Sequence, residues 1–431
     1  MYGTLLRQRR EEFHERIGTA LEALYPDRLE EYYEVLAYHY VRSGDKDKAV
    51  EYLDLANRKA AKANAMFEAK AYFDDVMKLL DLLPDTERNQ RRRLSLLVNQ
   101  GWVMNAMLNL PEYYDVLTRY EGMAVKLGDS QLLGSLYARK GWCEWSFGDF
   151  DRAIRTTSVA TELCEAAGNM EDAAQAYVHW QWSHLCAGEL HQSLVRSDDA
   201  LRSLEGRINL RLYLFAVAGA SIAYTWLGRR DHAVREGEKA LRTGQEFGDN
   251  SITSFASWTI AMAYTASGEL ARAVEYGERA VQIAPTPGDK AWASCVLAAA
   301  RCPAGDAGNS VEILAQSVLA LRAARFIWSE VCALWLGEAY WLSGEYEKAT
   351  RTLDELLEIA TRCGMKFHIG CAHRLLGEIA LTTNPTQSEA PLAAPHFDKS
   401  IAILQEIGAE NELALAHEGD GRLRRQLGTR A

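Results

Sequence analysis

The sequence predicts an all-α protein, a solenoid of antiparallel helix pairs with a repeat of about 40 residues. Gly148, Gly188, Gly228 and Gly268 are evenly spaced, one such period apart, and the series continues, slightly compressed, at Gly305 and Gly344. Gly44 belongs to the same series, with a degenerate stop at Leu108 between it and Gly148. A second series, Gly128, Gly168, Gly206, Gly248, Gly288, Gly364 and Gly408, is offset by about half a period. A fixed period of roughly 20–50 residues is the signature of stacked repeats. Two interleaved stop signals per period mean two helices per repeat.

Small residues recur at fixed distances from the first series. Ala49, Ala153, Ser193, Ala233, Ala273, Ser310 and Ala349 follow its glycines, and Ala37, Gly101, Gly141, Ser221, Ala261, Ala298 and Gly337 precede them. Two helices approach to about 8–9 Å only where the facing side chains are small. Tyr40, Tyr224, Tyr264 and Tyr340, each four residues before the turn, fill the space beside them. Asp45, Asp149, Glu189, Glu269 and Glu345 follow the glycines directly, and an acid suits a helix N-terminus.

In chain order, residues 1–30 read as an N-terminal helical linker. Residues 31–408 read as the repeat array, about nine helix pairs. Its frame slips at Leu108, where Pro111 opens the next helix, and at Gly305. A polar insert with three prolines, 382–395, lengthens one loop. Residues 409–431 read as a capping helix and tail, because an array must cover its open end. The polar run His417-Glu418-Gly419-Asp420-Gly421 reads as a flexible helix terminus.

Composition narrows the function. The chain is 48% apolar with only 9 prolines, so it can bury a long continuous core. A net charge of −11 gives no general attraction to nucleic acid or anionic lipid. Eight scattered cysteines with no Cys-x-x-Cys pair read as reduced, mostly buried thiols of a cytoplasmic protein. Residues 1–10 carry charge and no apolar stretch of a secretory signal. The long uncharged runs Leu212–Gly228 and Asn250–Gly268 each end on a glycine of the first series, so they read as first helices of repeats and not as membrane spans.

The frame resembles the tetratricopeptide repeat, in segments such as GWCEWSFGDFDRAIRTTSVATE and GEAYWLSGEYEKATRTLDELLE. The resemblance runs from about Glu31 to Gly408 and implies a right-handed superhelix. The period is longer than the roughly 34 residues usual in that family. Long repeats of this kind resemble those of bacterial multidomain signalling ATPases, including chains with nucleotide-cyclase domains. The stretch from Leu5 to Leu80 looks like the segment that follows the nucleotide-binding and winged-helix parts of such ATPases. The resemblance implies a sensor arm, truncated or free-standing, that gates a nucleotide-binding module.

Trp102, Trp142 and Trp182 are one period apart, each just after the small position of a first helix. In the resembled family that position faces the concave groove. The same frame adds Trp145, Trp258, Trp292 and Trp341. Such a groove suits a peptide or an apolar ligand. Equally, tryptophans here brace neighbouring helices in a tightly wound superhelix.

Other clusters say less. Cys363, His368, Cys371 and His373 are poorly spaced for a metal, since i and i+5 diverge on a helix. Arg91, Arg92 and Arg93 read as a solvated helix start or a phosphate or partner contact. No catalytic signature of phosphate-binding, zinc-protease, serine-hydrolase or calcium-loop type is present. The expectation is a non-enzymatic module with no cofactor or metal, binding a peptide or partner domain. A small-molecule effector domain of a transcriptional or signalling regulator is the alternative.

Overall fold

A computed structural model describes residues 2–206, 209–383 and 392–426. Among them are α-helices and short helical turns and no strand. None of these helices is long and apolar enough to cross a membrane. The chain divides into two compact units, Met1–Arg139 and Lys140–Ala431.

The first unit begins with α1 (Tyr2–Leu24), a 3-10 turn over Pro26–Tyr32 and α2 (Tyr33–Arg42). Helix α1, read from sequence as a linker, packs on α2. Gly18 lies under the Tyr40 ring, where an added β-carbon would come within 2.7 Å of Tyr40 Cζ. Burial alone would raise the Glu22 carboxyl. Hydrogen bonds from Lys48, Tyr52 and Tyr40 outweigh it and hold Glu22 below its ordinary value. Then follow α3 (Lys46–Lys62), α4 (Met66–Asp81), α5 (Glu87–Asn99), α6 (Gly101–Ala106) and α7 (Leu110–Leu127).

The boundary between the units falls within α8 (Ser130–Ser146). The second unit continues with α9 (Phe150–Ala166), α10 (Met170–Ala187), α11 (Leu190–Ser203), α12 (Leu210–Trp226) and α13 (Arg230–Glu246). Next come α14 (Asn250–Ala266), α15 (Leu270–Ile283), α16 (Pro287–Arg301), α17 (Ala307–Ala323) and α18 (Ser329–Leu342). The unit ends with α19 (Tyr346–Cys363), α20 (Lys366–Thr383), α21 (Ala394–Ile407) and α22 (Glu410–Gln426).

The long period has a direct cause. Helices of 17 residues recur, as in α9, α12, α13 and α14, and each spans about 25 Å. Two of them with two short turns fill one period. The turns are left-handed where the glycines stand, from Gly148 at φ 81° to Gly408 at 72°. The degenerate stop keeps the same backbone without glycine, for Leu108 has φ 53°.

Two expected stops differ. Gly44 is not left-handed: Ser43, at φ −88° and ψ 178°, takes the chain out of α2 in extended backbone. Gly288 lies inside the first turn of α16, because Thr286 caps that helix by accepting from the Asp289 N–H and Pro287 opens it. Two joints fall outside the glycine count, Asn64 at φ 59° between α3 and α4 and Arg325 at φ 55° between α17 and α18.

The small positions do what their size predicts. A β-carbon at Gly337 would sit 2.6 Å from Leu353 Cδ2 on the paired helix, and one at Gly141 would collide with Thr157. Ala37, Ser221, Ala261 and Ala298 are buried. Of the acids after the turn, Asp45 and Asp149 cap their helices through the Lys48 and Arg152 N–H groups. Glu189, Glu269 and Glu345 hold the same position without a side-chain cap.

Of the expected insert 382–395, Thr382 and Thr383 end α20 and Ala394 and Pro395 open α21. Residues 384–391 lie outside the described residues. The run 417–421 is not a helix terminus: it lies in the middle of α22. Gly419 is small there because the Phe397 ring occupies the place a β-carbon would take.

Candidate binding surface

Alternate helices of the second unit differ in kind. The second helices of the pairs, such as α13, α15 and α19, bury one narrow stripe and leave the rest charged and exposed. The first helices, α10, α12 and α14, are buried around most of their circumference. A helix that is apolar all round belongs inside. These first helices form the inner layer of the unit, where five of the expected tryptophans lie.

The inner layer is lined by a continuous chain of aromatic contacts. Trp142 stacks on Trp145 at 4.3 Å between centroids and touches His179 at 4.7 Å and Phe215 at 6.1 Å. Trp145 meets Trp182 edge-on at 5.8 Å, and its Nε1 donates to the Trp182 carbonyl oxygen at 3.0 Å. Trp182 leads to Phe215 at 6.1 Å, Phe215 to Phe255 at 5.5 Å, and Phe255 to Trp258 at 4.2 Å. Offset and edge-to-face pairs of this kind add about 0.5–1.5 kcal/mol each beyond area burial.

The joint between α17 and α18 enters the same layer. Phe326 lies 5.6 Å from Trp145, Trp328 lies 5.5 Å from Trp182, and Trp292 contacts both at 6.0 and 6.5 Å. All three residues of the segment Phe326-Ile327-Trp328 are buried. Trp145, Trp182 and Trp258 are likewise buried, whereas Trp142, Phe215, Phe255 and Trp292 are half-buried. The strip therefore combines four buried tryptophans, Trp145, Trp182, Trp258 and Trp328, with four half-buried rings.

Of the seven expected groove residues, five lie in this one aromatic layer: Trp145, Trp182 and Trp258 buried in it, and Trp142 and Trp292 half-buried. Trp341 is half-buried near the end of α18, outside this chain of ring contacts among the described residues. Trp102 is half-buried in α6 of the first unit. Sequence reasoning missed Phe215 and Phe255. They stand one period apart, at a common distance before Gly228 and Gly268, and that was the available signal. Trp292 keeps the same distance to Gly305.

The inner layer is tight because the unit curls back on itself. A β-carbon at Gly148 would lie 2.7 Å from Cys363 Sγ and 2.9 Å from Ile327 Cδ1. At Gly188 it would lie 2.9 Å from Lys366 Cβ, and at Gly228, 3.0 Å from Asn411 Oδ1. Trp226 stacks on Phe367 at 4.4 Å, and Asn411 Nδ2 donates to the Ala266 carbonyl oxygen at 3.0 Å. Successive turn glycines thus meet successive later repeats. Gly268, Gly305 and Gly344 meet nothing within 4 Å.

The remaining sequence candidates are structural in their contacts. Arg91 pairs with Glu87 at 2.9 Å and with Asp129, Arg92 pairs with Asp47, and Arg93 pairs with Asp81 at 2.6 Å. His368 and Cys371 are buried in α20, Cys363 ends α19, and His373 contacts His396 with 3.0 Å between their Nδ1 atoms. Among the described residues no three His, Cys, Asp or Glu side chains group as a metal site. All eight cysteines are free thiols, seven of them buried.

Two shallow depressions lie on the outer helices. One of about 530 Å³ on α19 is lined by Glu347, Thr350, Arg351, Asp354, Glu355 and Glu358. One of about 300 Å³ includes Arg230, Asp231, Arg235, Tyr264 and Arg272. Both are open and largely charged, unlike the enclosed apolar sites that small ligands favour.

Residues 256–287, covering the last part of α14, all of α15 and the start of α16, match the family model described as tetratricopeptide repeat. No curated protein sequence matches the chain. Among solved structures, the apo form of the quorum sensor NprR from B. thuringiensis is similar at a TM-score of 0.52 and 15% identity, over 80% of this chain and 97% of its own. A Rap protein complexed with competence and sporulation factor is similar at 0.49 and 13%, over 88% and 99%. A signal transduction ATPase with a tetratricopeptide repeat sensor from Pyrococcus horikoshii is similar at 0.46 and 11%, over 83% of this chain and 54% of its own. At these identities the likeness is one of fold. The chain is a tetratricopeptide-type helical array.

Proposed function

We propose that this array is a non-catalytic regulatory module that binds an extended segment of a partner protein along the inner aromatic strip of its second unit. The observation that carries the reading is the set of half-buried rings Trp142, Phe215, Phe255 and Trp292 beside buried tryptophans. Rigid aromatic rings give large contact area at low entropic cost and dominate binding hot spots. The strip runs along successive inner helices, which suits a chain better than a compact molecule. The outer depressions are charged and open, which counts against the small-molecule alternative.

The finer reading makes the partner a nucleotide-binding ATPase or cyclase module in the cytoplasm, with this array as its sensor arm. What supports it is the resemblance of the Leu5–Leu80 stretch to the segment that follows such modules.

A random peptide library selected against the protein tests the binding surface. Peptides enriched by the native chain should lose affinity at least about tenfold against the double variant Phe215→Ser/Phe255→Ser, with helicity retained. Equal binding by both forms, or no enrichment, sinks the reading. Saturable thermal stabilisation by one metabolite, lost in the same variant, would replace it with the effector reading.

A further inference from the structure

We propose that Cys295 is a peroxide-reactive thiol and that Cys332 resolves it, closing an intrachain disulfide between α16 and α18. Cys295 stands on α16 one turn after Trp292, and Cys332 lies early in α18. The two thiols touch, each the hydrogen-bond partner of the other. Cys295 Sγ also lies 2.8 Å from Ser317 Oγ of α17. Three helices thus meet at one sulfur. This chemistry is independent of what the aromatic strip binds.

The surroundings single out Cys295. Burial pushes up the thiols of Cys143, Cys186, Cys302, Cys363 and Cys371. Cys295 is lowered instead, because the hydrogen bond from Cys332 outweighs burial and Ser317 adds to it. Cys332 holds the shared proton against Cys295 and is itself buried, so it is raised. Ser317 has one hydroxyl proton and two acceptors, the Ile313 carbonyl oxygen at 2.7 Å and the Cys295 sulfur. Once Cys295 ionises, its sulfur is the stronger acceptor and the hydroxyl turns to it. The thiolate is the nucleophile, which sets the roles: Cys295 attacks and Cys332 follows.

Cys295 is only 3% exposed, so the oxidant must be small, as hydrogen peroxide is. The Cys295 thiolate attacks one peroxide oxygen. A sulfur–oxygen bond forms, the oxygen–oxygen bond breaks, and the released hydroxide takes the proton Cys295 gave up and leaves as water. The Cys332 sulfur then attacks the sulfenic sulfur. The sulfur–sulfur bond forms, the sulfur–oxygen bond breaks, and hydroxide leaves with the Cys332 proton as a second water. Peroxide gains the two electrons that the two thiols lose.

Peroxide treatment of the native full-length chain, then alkylation of the remaining thiols in denaturant and tryptic mapping, tests the assignment. Trypsin cuts after Lys290, Arg301, Arg325 and Lys348, so 291–301 and 326–348 carry the two cysteines, one to a peptide. They should be recovered joined, and freed by dithiothreitol, before the half-buried Cys363 is modified. This map needs no variant, so it stands whether or not the substitutions fold. Cys332→Ser, whose hydroxyl still donates, should leave Cys295 as a sulfenic acid that dimedone labels. Cys295→Ser should leave Cys332 a free thiol. Ser317→Ala should slow the reaction about threefold, the net of less thiolate and a more nucleophilic one. Peroxide added to the chain unfolded in urea should show no preference for this pair. No joined peptide, oxidation of Cys363 first, or the same preference in urea overturns the proposal.

Discussion

The backbone N–H of Ile327 donates to the carbonyl oxygen of Ser146 at 2.6 Å. Ser146 ends α8, and Ile327 lies in the joint before α18, several repeats later. The C-terminal carbonyls of a helix have no partner within it, so an outside donor satisfies one that would otherwise be buried unpaired. The same joint sends Phe326 and Trp328 onto Trp145 and Trp182. Contact between early and late repeats is therefore made by backbone and side chain together.

Gly148 and Gly268 separate the two demands made on a turn glycine. Both have positive φ, 81° and 77°, but only Gly148 abuts a later repeat. Gly268→Ala should cost about 1–2 kcal/mol for the left-handed backbone alone. Gly148→Ala should cost a further ~1–3 kcal/mol, because the methyl group displaces Cys363 and Ile327. Denaturant unfolding of the two variants measures the difference, and equal costs would deny the coil-to-coil contact.

Arg374 fastens the last helix. Burial disfavours its charge, but Glu412 and Glu338 more than offset this and raise its pKa. Its Nε donates to Glu412 of α22 at 2.7 Å. Its removal leaves the half-buried Glu412 carboxylate without its cation, at a cost of roughly 1–3 kcal/mol. Arg374→Ala should therefore loosen α22 first. Hydrogen exchange is expected to rise in 410–426 while amides of α12 and α14 stay protected, and uniform exchange would contradict the assignment.

His373 makes stability sensitive to acid. Burial, with the nearby charges of His396 and Lys399, lowers its pKa from 6.5 to about 4. The unfolded chain therefore binds a proton at higher pH than the folded one does. This contribution is fully present above pH 6.5 and is lost as pH falls through the window down to about 4. His373→Gln should shrink the drop in melting temperature between neutral pH and the lower end of that window. An unchanged drop would assign the acid sensitivity elsewhere, with buried His368, lowered to about 3, the next candidate.

The local architecture was written in the sequence, and the reason is physical. Turn chemistry, caps and close approach depend on neighbours within one period, so Gly141 against Thr157 and the Asp149 cap follow from spacing alone. The fate of the tryptophans did not. Trp145 and Trp182 are buried by Phe326 and Trp328 of a later repeat. That meeting depends on small rotations summed over several repeats, which no single spacing records. The joint at Arg325 escaped notice because it keeps the left-handed turn without glycine. Gly288 misled for the converse reason, since Thr286 and Pro287 had already started the helix.

In an open solenoid each repeat touches only its neighbours, so repeats can be added or lost and folding can spread from any point. The contacts of Gly148, Gly188 and Gly228 with residues around 363, 366 and 411 remove that freedom. Deleting one whole repeat between them would shift every such contact by a full step. The second unit is thus a fold of fixed repeat number. Its early repeats gain their full stability only once its late ones are in place, so apart from local opening of the terminal α22 its global unfolding should be a single transition.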